Sequence, residues 1–110
     1  MQRITARFSS GMVLCLSLAL PCSLRAEGDA GQLYRTNCAV CHAADGSGNS
    51  PSGKALKAKD LRSDEVQKKS DAEVADFITK GQGKMPPFGK KFKPEQIQQL
   101  VSYVRQLEKK

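Results

Sequence analysis

Within this 110-residue chain the densest chemistry lies at Cys38-Ala39-Val40-Cys41-His42. Two thiols separated by two residues, followed at once by an imidazole, form the attachment pattern of a c-type haem. The spacing has a chemical reason. Each thiol can add to one vinyl group of a protoporphyrin, and the short gap keeps both sulfurs along one edge of the ring. The next side chain then offers its imidazole to the iron. Two other chemistries use such cysteines. A redox dithiol of the thioredoxin kind expects a βαβ setting, and no strand pattern appears in this chain. A structural zinc site needs a fourth ligand, whereas Cys38, Cys41 and His42 supply three.

A haem iron held by one imidazole usually takes a second axial ligand. His42 is the sole histidine, so two imidazoles from one molecule are excluded by counting. Of the three methionines, Met1 and Met12 lie in an N-terminal segment that reads as removable, which leaves Met85. It sits in KMPPF, inside a stretch (Gly81 to Lys93) holding three glycines and two prolines. A methionine within a helix is more often core filler. Here there is no apolar stripe to fill, and a soft thioether is a good iron ligand. Histidine with methionine raises the reduction potential. With both axial positions filled, the iron keeps no vacancy for substrate, which points to electron transfer.

The elements that must position these groups are helical. Asp29 to Asn37 carries Ala30, Leu33, Tyr34 and Asn37 at helical spacing and runs into Cys38, with Asp29 as N-cap or first-turn acid. Gly31 inside it costs helix stability relative to alanine. Ala43 to Lys59 is rich in glycine, serine and lysine and reads as a loop, anchored by Leu56 and Leu61. Ser63 begins a short turn through Val66. Ser70 with Glu73 three residues on is a capping box. The helix it starts shows Val74, Phe77 and Ile78 on one face and ends at Gly81. Pro94 then opens a helix with Ile97, Leu100, Val101, Val104 and Leu107 along one side. The fold class is all-α with long loops.

The first 26 residues read as a secretory signal: Arg3 and Arg7, then a nine-residue apolar run from Met12 to Leu20, then Pro21 and a small Ala26. That run is too short to span a bilayer. Cleavage after Ala26, with Ala30 as the alternative, leaves one domain, residues 27–110, exported to the periplasm without stable membrane insertion. Cys15 and Cys22 leave with the signal. A domain this small usually needs a staple, and a covalent haem supplies a large apolar surface to wrap. Fifteen basic and eleven acidic residues remain, a mildly basic balance unlike that of a nucleic-acid binder.

The segments GQLYRTNCAVCH, SDAEVADFITKGQGKMPPF and PEQIQQLVSYVRQL together resemble a small class I c-type cytochrome, over essentially all of residues 27–110. The resemblance implies about four short helices wrapped around one covalently bound haem c, with Cys38 and Cys41 as thioethers and His42 and Met85 as axial ligands. It implies that the first and last helices cross, Gly31 and Tyr34 meeting Tyr103. It implies a proline whose carbonyl accepts the imidazole Nδ1–H, for which Pro51 is the candidate. Lys84, Lys90, Lys91 and Lys93 would lie beside the exposed haem edge and dock redox proteins with acidic surfaces. The carrier would be a monomer. Two positions depart from the family pattern: Ala43 replaces the glycine that often follows the motif, and Lys59 stands where a proline often precedes Asp-Leu. The rival readings are a five-coordinate gas-binding or peroxidatic haem protein, and a haem subunit of a larger respiratory complex.

Overall fold

The computed structural model describes residues 25–108, together with Gly11 and Ala19. The signal expected over residues 1–26 lies otherwise outside the described residues. Six helical segments follow one another: α1 Arg25–Asn37, α2 Ala39–His42, α3 Pro51–Leu56, α4 Asp64–Gln67, α5 Asp71–Lys80 and α6 Pro94–Leu107. No strand occurs among the described residues beyond a single bridge between Gln82 and Met85.

The core is the seam where α1 and α5 pack on α6. Tyr34, Val74, Ile78, Ile97, Leu100, Val101 and Leu107 are buried there, joined by Phe92 from the loop before α6. The apolar period of α6 sets this seam, and Pro94 at its first turn together with Gln96 starts it. The Gln96 side-chain oxygen accepts from the Lys93 N–H at 2.8 Å. At the start of α5 the capping box is complete: Ser70 N–H donates to Glu73 Oε2 at 2.9 Å, and Glu73 N–H donates to Ser70 Oγ at 3.1 Å. Two backbone donors that the first turn would leave orphaned are thereby satisfied.

The expected crossing of the first and last helices is present, with the Tyr34 and Tyr103 ring centroids 4.7 Å apart. Gly31 is buried at this crossing, yet a Cβ there would meet Tyr103 at an ordinary 3.6 Å and press only on the end of the Arg35 side chain. The close approach implied for Gly31 is therefore mild. The tightest glycine is Gly53 in α3, where a Cβ would run into the backbone carbonyls of Cys41 and Gly48.

α3 lies within a stretch that reads as loop. Its helix is local in origin: Ser50 is the N-cap, its Oγ accepting from Gly53 N–H at 2.9 Å, and Pro51 stands at the first helical position. Apart from Gly53 its residues are exposed, so no apolar period announces it. α1 likewise begins at Arg25, four residues before Asp29, and runs through Gly28.

The 43–61 segment is pinned by backbone bonds: Gly48 N–H to His42 O at 2.8 Å, Ala58 N–H to Gly53 O at 2.8 Å and Leu61 N–H to Gly46 O at 2.7 Å. Further on, Arg105 of α6 reaches across to the end of α4. Its guanidinium donates to the carbonyls of Gln67 and Lys69 and to Asp71 Oδ1, joining α4, α5 and α6 at one point.

Ala43 stands at φ 64°, ψ 164°, a region that is essentially glycine-only. The strain is held because Ala43 N–H donates to Ala39 O at 2.9 Å and its carbonyl accepts the Tyr34 hydroxyl at 2.7 Å. Such a backbone costs about 1–3 kcal/mol, part of which glycine returns as unfolded-chain entropy. Ala43→Gly should therefore stabilise the fold by about 1 kcal/mol and raise the melting temperature by roughly 4–8 °C. Thermal unfolding followed by circular dichroism measures this, and an unchanged or lower midpoint would show that Ala43 is unstrained.

Candidate haem site

Cys38 follows α1 directly, and Cys41 and His42 occupy the single turn of α2. That turn closes because Cys41 N–H and His42 N–H both bond back to Cys38 O, at 3.2 and 2.9 Å. Both thiols are half-buried and unbridged. Burial, and secondarily the neighbouring Cys41, pushes the Cys38 thiol up to about 11. That is the opposite of the lowering an attacking cysteine of a dithiol oxidoreductase needs.

The His42 ring is fixed from behind. Its Nδ1 lies 2.9 Å from the backbone carbonyl of Lys59. A carbonyl can only accept, so the proton sits on Nδ1 and the lone pair on Nε2 is the ring's metal donor. This corrects the assignment of Pro51, which is the exposed first residue of α3 and does not take that role. Lys59 occupies the acceptor position because α3 ends at Lys57 in a left-handed turn (φ 55°, ψ 47°), which sends the chain back across α2. The acceptor is a main-chain oxygen, so a residue without a proline ring can serve.

Met85 comes from the loop between α5 and α6. Reciprocal backbone bonds with Gln82, at 3.1 and 2.9 Å, close a tight turn around it. Phe88 N–H to Ile78 O and Gly89 N–H to Thr79 O, both 3.0 Å, tie the loop onto α5. Gly81, at φ 70°, opens it.

His42 and Met85 line the same space. Two adjoining cavities share Cys38, His42, Lys59, Gln82 and Met85 as walls. The inner one, about 250 Å³, is floored by core residues including Tyr34, Ile78 and Leu100. The outer one, about 490 Å³, adds Cys41, Val40, Leu56 and Pro86. Together they fall in the range of small-molecule and cofactor sites, about 300–1,000 Å³. The donor set fits a haem c: two thiols at one rim, a nitrogen with an oriented lone pair, a thioether, and mostly apolar walls for a flat ring.

Of the expected docking lysines, only Lys84 lines the cavity; Lys57 and Lys59 join it from the returning loop, unforeseen in the sequence. Lys90, Lys91 and Lys93 are exposed but line neither cavity, and Lys91 Nζ lies 5.8 Å from the Phe92 ring centroid. Val40 and Leu56, 61% and 40% exposed, stand at the outer mouth. Leu61 packs on the core and faces the inner cavity, as its anchoring role required.

An all-helical wrap around such a cavity defines the class, and comparison with known proteins agrees. The family described as cytochrome C oxidase, cbb3-type, subunit III matches residues 26–104. Cytochrome c6 of Aphanizomenon flos-aquae is 37% identical over 75 residues, covering 66% of this chain and 79% of that protein. Cytochrome c6 of Gloeothece citriformis (strain PCC 7424) is 36% identical over 81 residues, 70% of each. A solved structure described as KustC0563 c-type cytochrome superposes with a TM-score of 0.67 at 34% identity, covering 73% of this chain and 98% of that one. The chain belongs to the class I c-type cytochromes. It carries one covalently bound haem c, transfers electrons between redox proteins, and is not an enzyme.

Proposed function

We propose that Cys38 and Cys41 hold the haem as thioethers, that His42 and Met85 are its axial ligands, and that the protein is a periplasmic single-electron shuttle. The observation that carries this reading is the convergence of His42 and Met85, 43 residues apart in sequence, on one mostly apolar cavity with Cys38 in its wall. The haem supplies a one-electron couple. The chain does the rest: Lys59 orients His42, the Gln82–Met85 turn holds the thioether, and the core residues exclude water. With two strong axial donors the transfer is outer-sphere, through the edge that faces the outer cavity.

Residues 1–26 act as the cleaved export signal, and residues 27–110 form the working domain. Among the described residues no helix is long and apolar enough to cross a membrane. The docking face is the basic mouth of the outer cavity, with Lys84 beside Lys57, and Lys90, Lys91 and Lys93 on the neighbouring loop. It steers a monomeric carrier onto acidic partner surfaces. Electron-transfer rates with an anionic redox partner should fall steeply as the Debye length shrinks from about 30 Å at 0.01 M salt to about 8 Å at 0.15 M. A flat profile would remove the lysines from docking.

A second reading, a haem subunit of a larger respiratory complex, is favoured by the description of the matching family as an oxidase subunit. Co-purification of the exported protein with a membrane oxidase would select it over the free carrier.

A further inference from the structure

We propose that Lys59 and Lys69 receive the two haem propionates at the inner end of the cavity, around Glu65. The inference rests on Cys38 and Cys41 being the attachment points. A protoporphyrin carries its vinyl groups on two adjacent pyrroles and its propionates on the other two. With the vinyl edge tethered at the cysteines, the carboxylates must leave at the opposite end. An apolar wall cannot take them, because an ionised carboxylate buried without a partner is too costly.

The outer cavity is lined by both cysteines, whereas the inner one reaches only Cys38 and extends away from it to Glu65, Lys69 and Phe77. Its charged lining residues are Lys59, Glu65 and Lys69. Lys59 Nζ sits 2.8 Å from Glu65 Oε1, both side chains well exposed. Lys69 forms no ion pair within 4 Å among the described residues; its Nζ lies 5.4 Å from the centroid of Phe77, which also faces the cavity. The Glu65 carboxyl is held below its ordinary range by the Lys59 hydrogen bond first, with Lys69 adding a smaller attraction. Two cations therefore surround one anion at a solvent-facing rim, which leaves one positive charge in excess: Lys69 is free to pair with one propionate, and Lys59 would share its ammonium between Glu65 and the other. Lys59 then serves twice, its carbonyl orienting His42 and its ammonium holding a propionate.

The experiment uses the holoprotein loaded with haem isotope-labelled at the propionates, comparing Lys59→Gln, Lys69→Gln, Lys69→Arg and Lys68→Gln. Lys68 is exposed and lines neither cavity, so it controls for charge at a distance. The readouts are the propionate carboxylate stretch by infrared spectroscopy and the reduction potential. Expected are a shifted carboxylate band and a lowered potential in both glutamine variants at 59 and 69. The band shift should persist at about 1 M salt, where the Debye length is about 3 Å, and Lys69→Arg should restore it. The control should leave the band in place. An unmoved band in both cavity variants, or an equal shift in Lys68→Gln, overturns the assignment. Failure of the attachment reading itself would look different, since the parent protein would then carry no covalent haem at all.

Discussion

Met85→Ala should leave the haem covalently attached while lowering the reduction potential and opening the iron to added ligands. Attachment survives because it depends on the thiols of Cys38 and Cys41, which are set by α1 and α2, far in sequence from the Met85 loop. The loop itself should keep its shape. The Gln82–Met85 turn is made by backbone bonds, and Phe88 and Gly89 are tied to α5 by theirs, none of which needs the thioether. What disappears is one axial donor. Methionine opposite histidine raises the potential, so the fall should be a sizeable fraction of the roughly 0.8 V that axial ligands span. Voltammetry measures it, and carbon monoxide binding to the reduced protein reports the vacancy. An unchanged potential, with no response to carbon monoxide, would take Met85 off the iron.

Gly53→Ala should be the most damaging small substitution in the domain. The added Cβ meets two main-chain carbonyls, those of Cys41 and Gly48, with the Ser50 Oγ cap at 2.9 Å. Neither carbonyl can rotate aside. Cys41 is locked in the turn of α2, and Gly48 is bound back to His42. α3 would have to lift away from α2, and such overpacking costs about 3 kcal/mol. For a domain of this size that lowers the melting temperature by roughly 12–24 °C. The damage should also reach the site, because Lys59 lies three residues beyond α3 and its carbonyl holds His42. The exposed neighbour Ser52→Ala should stay within about 0.5 kcal/mol. Denaturant unfolding of both variants compares them, and equal midpoints would mean that α3 does not press on α2 as described.

The structure gathers Cys38, Cys41, His42 and Met85 around one cavity, and the sequence pointed to that cavity where residue type itself carries the chemistry. Cys38, Cys41, His42 and Met85 could be read because thiol, imidazole and thioether are scarce in this chain and stand in distinctive surroundings. α5 and α6 were legible because their starts are marked by Ser70 and Pro94 and their buried faces repeat at helical spacing. Interactions made by the main chain were hidden. The acceptor of the His42 proton is a carbonyl, which every residue possesses, so only the path of the chain could move it from Pro51 to Lys59. α3 escaped because it buries little beyond Gly53, although Ser50-Pro51 was a usable start signal. Arg105, which joins three helices, carries no signal in the sequence that sets it apart from the other basic residues. Lys57 and Lys59 were hidden for a similar reason: they stand far in sequence from Lys84, and only the turn at Lys57 brings them to the same cavity.

The central claim, that this chain folds around a porphyrin bound through Cys38 and Cys41, is tested most directly by the intact mass of the exported protein under denaturing conditions. The account predicts a chain beginning at Glu27 that carries one haem and no free thiol. A haem-free mass, with Cys38 and Cys41 either alkylatable or bridged to each other, would contradict it.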